Sequence, residues 1–312
     1  RYGYPWIYSN EIISDRRTKS LLPGSFCTLV DYNKNPICLV TVNPKSKIFA
    51  RVMDYNLETT VDAYWLKDKI SKALAKRKEI FRDPFYRLVN AEADELPGLI
   101  VDRFDNVIVM QPNAFWAENM SEIIANSIKE VCSIDVVIKN ASGRSRRLEG
   151  LDDKNSVFFG DLPEAAISVP MNGAIYKADV HEGQKTGLFY DQRQNHKFVA
   201  SLANGKTVLD VFCHVGGFGL AAIAAGASKV SFVDSSANAL DLVREGASEM
   251  MASSKMNIIR GDAFSVLRKL FESNKSYDIV ICDPPAFVTS RKSLNSGLRA
   301  YEKMAKLGSS LV

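Results

Sequence analysis

The sequence predicts an α/β fold built on a doubly wound parallel sheet, with a small β domain and a central α+β domain before it. Three observations carry this reading. Thr207–Phe212 is apolar and β-branched, as a strand buried on both faces must be, and it runs into a glycine turn at Cys213–Gly219. Further strand-like runs follow at Lys229–Val233, Met256–Arg260 and Asp278–Cys282, spaced as alternating strands and helices require. Each of these four strands carries an acid at or just past its carboxyl end: Asp210, Asp234, Asp262 and Asp283. Ligands of open α/β sheets bind along that edge.

The elements of this sheet are read in turn. Gly216 and Gly217 have no Cβ, so the backbone can turn sharply and admit a ligand closely. Ala221, Ala222, Ala224 and Ala225 then favour a helix that packs tightly on the sheet. Asp234 follows Gly216 at about the 20-residue distance at which a second-strand acid meets a nucleotide ribose. One carboxylate there accepts two charge-assisted hydrogen bonds of about 1.5–3 kcal/mol each. Asp262, followed by Ala263 and Phe264, also suits a helix N-cap, and both readings stand. Asp283 opens DPPAF, whose Pro284 and Pro285 stiffen the corner before Ala286 and Phe287.

The first part, to about Asp54, reads as small β structure. Ser25–Tyr32 and Pro36–Val42 are strand-like runs parted by the turn formers Asn33, Lys34 and Asn35. Arg16, Arg17 and Lys19 form a basic cluster near Trp6 and Tyr8, suited to phosphate contact and base stacking, although composition alone favours a solvated loop and core aromatics. A helix at Val61–Ile80 buries one stripe and displays lysines, usually just a solvated face. Strands at Leu88–Ala91, Leu99–Phe104 and Val107–Gln111, a helix at Trp116–Val131 and a strand at Ile134–Lys139 complete a central α+β part. The loop Asn140–Gly150 holds Arg144, Arg146 and Arg147, guanidinium forks that fit phosphate oxygens, against the plainer reading of an exposed loop.

The 312 residues suffice for two or three domains, and 46% hydrophobic content provides a globular core. A net charge of +4 permits a nucleic-acid partner. Cys27, Cys38, Cys132, Cys213 and Cys282 form no CxxC pair, so neither a disulfide framework nor a zinc site is expected, and no metal is called for. A reducing compartment is the simpler inference. No apolar run reaches the roughly 18–20 residues of a membrane span, and the expectation is no membrane partner. The chain opens on Arg1, so its start is expected to be incomplete. His181, His196 and His214 suggest no triad.

DVFCHVGGFG, VDSSANAL, GDAF and DPPAF resemble motifs I to IV of class I S-adenosylmethionine methyltransferases. GQKTGLFYDQR at Gly183–Arg193 resembles a motif of the large-subunit ribosomal RNA methyltransferase I family, whose members methylate carbon 5 of a cytosine in 23S rRNA. YPWIYSNEI with LLPGSFCTLVDY is similar to that family's PUA opening, and LPGLIVDRF to its central domain. The resemblance implies a PUA-like RNA-binding domain over 1–54, a central α+β domain over 55–180, and a Rossmann-like methyltransferase domain over 181–312, C-terminally incomplete after its fourth strand. S-adenosylmethionine is the implied cofactor, held by Asp210 and Gly216 at its methionine end, Asp234 at the ribose, and Asp262 with Ala263 at the adenine. Thr186 and Phe189 would close that pocket. Asp283 and the Pro284 carbonyl would hold the cytosine amine while Phe287 stacks on its ring.

Carbon 5 of cytosine needs a thiolate to add at carbon 6 first. The family carries it in a later Ser-Cys-Ser-like motif that this sequence lacks, and Cys213 and Cys282 read as core thiols. An exocyclic-amine methyltransferase and a non-catalytic RNA-binding fragment therefore stay as alternatives. A nicotinamide oxidoreductase would want G-x-G-x-x-G where the turn reads Cys-His-Val-Gly-Gly-Phe-Gly. The expected partner is ribosomal RNA, with a homodimer left open, and the expected location is the cytoplasm, or an organelle in a eukaryotic source.

Overall fold

The computed structural model describes residues 4–181, 186–288 and 290–312. The chain forms two compact units, Arg1–Glu164 with Val180–Thr186, and Ala165–Asp179 with Gly187–Val312.

The first unit opens with strand β1 (Trp6–Tyr8), helix α1 (Arg16–Lys19) and strands β2 (Phe26–Val30), β3 (Pro36–Val42) and β4 (Ile48–Asp54), an antiparallel sheet of order β1-β4-β3-β2. Cys38, Val40, Val42, Phe49 and Ala50 are its core. Helix α2 (Ala63–Ile80) starts on Asp62, whose carboxylate accepts from the Trp65 amide, and buries Trp65, Leu66, Ile70, Ala73 and Leu74. Its expected basic face is largely met by acids: Lys67 pairs with Glu130, Lys69 with Glu95, and Lys72 with Asp68.

Strands β5 (Phe85–Asn90), β6 (Leu99–Phe104) and β7 (Val107–Pro112) follow, then helices α3 (Phe115–Asn119) and α4 (Ser121–Cys132), strand β8 (Val136–Lys139), helix α5 (Arg144–Glu149) and strand β9 (Ser156–Phe159). The sheet runs β5-β6-β7-β8-β9, parallel at the β7–β8 pair and antiparallel elsewhere. Two expectations change here. The helix read as continuous over 116–131 breaks at Met120, and the loop read over 140–150 contains α5. Gly143 at φ +148° and Gly150 at φ +82° bracket α5, taking up backbone conformations that L side chains rarely adopt.

The second unit begins with a hairpin of β10 (Ile167–Met171) and β11 (Ala174–Ala178), turning through Asn172 and Gly173, both at positive φ. Helix α6 (Arg193–Ser201) leads to β12 (Thr207–Val211), α7 (Gly217–Ala224), β13 (Lys229–Asp234), α8 (Ala237–Glu249), β14 (Met256–Arg260), α9 (Ala263–Glu272), β15 (Ile279–Cys282) and α10 (Leu294–Ser309). These strands form one parallel sheet of order β14-β13-β12-β15. The chain moves outward from β12 to β14, then returns to the other side of β12 as β15, so the direction of winding reverses beside β12. Among the described residues no helix is long and apolar enough to cross a membrane.

Candidate active site

At this reversal the carboxyl end of β12 meets the glycine turn. The turn is tighter than its glycines alone suggest: Phe212 (φ +62°) and His214 (φ +51°) join Gly216 (φ +83°) in left-handed conformations. Such a backbone costs about 1–3 kcal/mol per non-glycine residue and persists only where its surroundings over-determine it. Here the Cys213 amide donates to the Val233 carbonyl (3.1 Å), the His214 amide to Asp234 Oδ2 (2.9 Å) and the Gly216 amide to the Cys213 carbonyl (2.7 Å). Close packing sets the helix behind it. A Cβ on Gly219 would lie 2.1 Å from the Phe232 ring, and one on Gly217 would lie 2.6 Å from the His196 imidazole.

Asp210 is the most constrained acid of the site. It is 1% exposed; Oδ2 accepts from the Gly219 amide (2.8 Å), while Oδ1 is buried with no hydrogen-bond partner. Burial pushes its carboxyl up to about 7, and the neighbouring Asp283 and Asp234 charges add to the shift. A buried carboxylate with an open oxygen among other acids suits a cationic ligand group. That is a fit for a cofactor bearing an ammonium and a sulfonium.

Asp234, half-buried at the end of β13, also receives the Ser236 amide on Oδ1 (2.9 Å). Each of its oxygens can accept a further hydrogen bond. Asp262 caps α9: Oδ1 accepts from the Ser265 amide and hydroxyl, both 2.9 Å, and these bonds hold its carboxyl below the usual range. The capping reading therefore holds; Asp262 is exposed and Ala263, which follows it, is buried. Phe189 meets the His214 ring edge-on at 5.0 Å. Phe287 is half-buried among Phe212 (6.4 Å), Phe264 (5.8 Å) and Tyr301 (4.8 Å). Asp283 and Pro285 are exposed and Pro284 is half-buried, at the end of β15.

Two expected site residues sit elsewhere or differently. Thr186 belongs to the first unit, is fully buried and donates its hydroxyl to Asp102 (2.6 Å); residues 183–185 of its motif lie outside the described residues. Arg146, expected to grip RNA phosphate, is instead 0% exposed: its guanidinium donates to the Asp152 and Pro112 carbonyls and pairs with Glu118. It holds α5 in place and presents no fork to solvent. Arg144 and Arg147 are exposed on the same helix. Cys213 and Cys282 are not activated thiols, since burial pushes Cys213 far up and Cys282 up to about 11.

The sequence reading missed two residues that shape the turn. The Tyr176 hydroxyl donates to the Gly217 carbonyl (3.1 Å), and His196 is buried between Tyr176 and Phe218, its pKa lowered to about 4 by burial. The alternation Ala174, Tyr176, Ala178 along β11 was the available signal for an inward Tyr176.

Comparison with known proteins identifies the family. A family model described as S-adenosylmethionine-dependent methyltransferase matches residues 147–307, and one described as PUA-like domain matches residues 1–55. The ribosomal RNA large subunit methyltransferase I of Shewanella denitrificans is 31% identical over 99% of this chain and 79% of its own length. That of Aeromonas hydrophila is 30% identical over 99% of this chain and 79% of its own. Among solved structures, SMU.776 in complex with SAH superposes with a TM-score of 0.83 at 18% identity, covering 99% of this chain and 79% of that one. The chain thus belongs to the S-adenosylmethionine-dependent methyltransferases, in the family of the ribosomal RNA large subunit methyltransferases I.

Proposed function

We propose that this protein methylates carbon 5 of a cytosine in large-subunit ribosomal RNA. The observation that carries this reading is the run of acids along one sheet edge, Asp210, Asp234 and Asp262, ending at the proline corner of Asp283, in a chain whose relatives are ribosomal RNA large subunit methyltransferases. When bound, S-adenosylmethionine supplies an electrophilic methyl group on a sulfonium. The residues of this chain hold and align it. Asp210 Oδ1 meets the positive methionine end at the Gly216 turn, Asp234 takes the ribose hydroxyls, and Asp262 with Ala263 takes the adenine edge. Phe189, packed on His214, borders the same turn. The motif resemblance alone gives Thr186 a part in cofactor binding.

The acceptor corner uses Asp283 and the Pro284 carbonyl to accept from the cytosine amine, and the Phe287 ring to flank the extruded base. Methyl transfer is an in-line displacement, so alignment and exclusion of water do most of the work. Arg144 and Arg147, with Arg16, Arg17 and Lys19, are exposed cations that suit phosphate contact.

A second reading is methylation of the exocyclic amine, which needs no thiolate, whereas carbon 5 needs one that neither Cys213 nor Cys282 supplies, burial raising both thiols. Product analysis separates the two. The protein is incubated with deproteinised large-subunit rRNA and methyl-labelled cofactor, and the RNA is digested to nucleosides. Label in 5-methylcytidine is expected; label in N4-methylcytidine establishes the amine reading, and label in neither rejects cytosine as the acceptor.

A further inference from the structure

We propose that Tyr301 and Gly297, one turn apart on α10, lock the DPPAF corner into the shape that receives the acceptor base, Tyr301 acting as a positioning residue for Phe287. This rests on the reading of that corner as the acceptor site. The observations come from one short stretch of backbone. The Phe287 amide donates to the Tyr301 hydroxyl oxygen at 3.1 Å, and the two rings lie 4.8 Å apart at 53°. Four residues earlier on the same helix face, a Cβ on Gly297 would lie 2.9 Å from the Phe287 carbonyl oxygen and 2.4 Å from Val288 Cγ2. One helix face therefore holds Phe287 by both its amide and its carbonyl side.

The corner needs such an external hold. Pro284 and Pro285 have no N–H to donate, and the Asp283 amide reaches the Val211 carbonyl only at 3.4 Å. The helix that supplies the hold is itself well seated. Met304 is buried in the core under β12 and β15, and a Cβ on Gly308 would lie 3.2 Å from Cys282 Sγ. Phe287 in turn touches Phe212, the strained residue at the end of β12, and Phe264, next to Ala263. Tyr301 thus fixes the ring that links the acceptor corner to the cofactor turn. An alignment error of about 1 Å can slow a positioned reaction about 100-fold.

The test compares the whole protein with its Tyr301→Phe, Gly297→Ala and Phe287→Ala variants. Tyr301→Phe keeps the aromatic ring and removes the acceptor of the Phe287 amide. Three quantities are measured: S-adenosylhomocysteine affinity by calorimetry, single-turnover methyl transfer to large-subunit rRNA at saturating cofactor, and amide exchange at Phe287. Tyr301→Phe and Gly297→Ala are each expected to slow transfer about 10–100-fold, leave cofactor affinity within about twofold, and speed exchange at Phe287. A merely structural tyrosine would leave the single-turnover rate unchanged well below the melting temperature. Tyr301→Phe at the wild-type rate beside a slow Phe287→Ala overturns the lock and leaves the corner's role standing. Wild-type rates in both overturn the acceptor-corner reading together with the lock. A parallel loss of cofactor affinity in Tyr301→Phe and Gly297→Ala also overturns the lock, since the effect is then not confined to the corner.

Discussion

Asp210 is a buried acid with one oxygen committed to the Gly219 amide and the other unpaired, and its carboxyl is pushed up to about 7 by burial and then by Asp283 and Asp234. The sign of the resulting pH dependence follows from linkage. The folded value lies above the ordinary 3.8, so the folded, cofactor-free protein holds this proton more tightly than the unfolded chain does. That contribution to stability is fully present below about pH 4 and is lost as pH rises through about 7. With the cofactor placed as proposed, the preference reverses, because a positive group beside Oδ1 would favour the carboxylate and drive the proton off. Affinity for S-adenosylmethionine is therefore expected to weaken about tenfold between pH 8 and pH 6, with proton release on binding. Calorimetry in buffers of different ionisation enthalpy measures both. Asp210→Asn should lose affinity and flatten the profile; a wild-type profile already flat over that range would show that Asp210 does not face the cofactor's charge.

Helix α5 decides which arginines can meet RNA. Arg146 is enclosed between Glu118, Asp152 and the Pro112 carbonyl; Glu118 keeps Lys139 when it is removed, but the Pro112 and Asp152 carbonyls lose their donor beside an unfilled buried space, which costs about 3 kcal/mol. Arg146→Ala is expected to lower stability by that amount in urea, while Arg144→Ala and Arg147→Ala change it by less than about 0.5 kcal/mol. The double variant Arg144→Ala/Arg147→Ala should instead weaken RNA binding and flatten its logarithmic salt slope by about 1–1.5. An unaltered slope would remove α5 from the RNA surface. The sequence showed the three arginines but not their fates, because six helical residues between two glycines are too few to reveal a face. The parallel strands were far more legible. Met256–Arg260 is as expected, and Thr207–Val211 and Ile279–Cys282 each differ by one end residue: β12, buried on both faces, reads as an apolar run, and the edge strands β14 and β15 keep short apolar runs although they are only partly covered. Strand β4 escaped notice because Arg51 inside it is buried against Glu149 and breaks the apolar pattern. The β10–β11 hairpin did carry a usable signal, Asn172–Gly173 between apolar runs. Tyr176, His196 and Tyr301 reach the site across 14 to 41 residues, through contacts that no local pattern encodes.

Across the whole molecule the charges divide by task. The proposed cofactor and acceptor sites carry Asp210, Asp234, Asp262 and Asp283 along one sheet edge, acids that repel RNA phosphates where they are ionised. With a net charge of +4 the chain must hold RNA through cations placed elsewhere, and the first unit displays Arg16, Arg17, Lys19, Arg144 and Arg147 to solvent. Exposed cations act by releasing counterions, each neutralised phosphate of a single strand contributing about −0.7 to the logarithmic salt slope. Five such contacts give a slope of about −3.5, hence about a 100-fold loss of RNA affinity between 50 and 200 mM salt. In the proposed site the cofactor answers to a buried carboxylate instead, and buried pairs are screened little over that range. Its affinity is expected to change by less than about twofold. Titrating RNA and S-adenosylmethionine against one preparation at both salt concentrations checks the two halves together. A cofactor affinity as salt-sensitive as that for RNA would mean that the acids grip it from the surface, and a salt-insensitive RNA affinity would mean that stacking, not the exposed arginines and lysine, carries the nucleic acid.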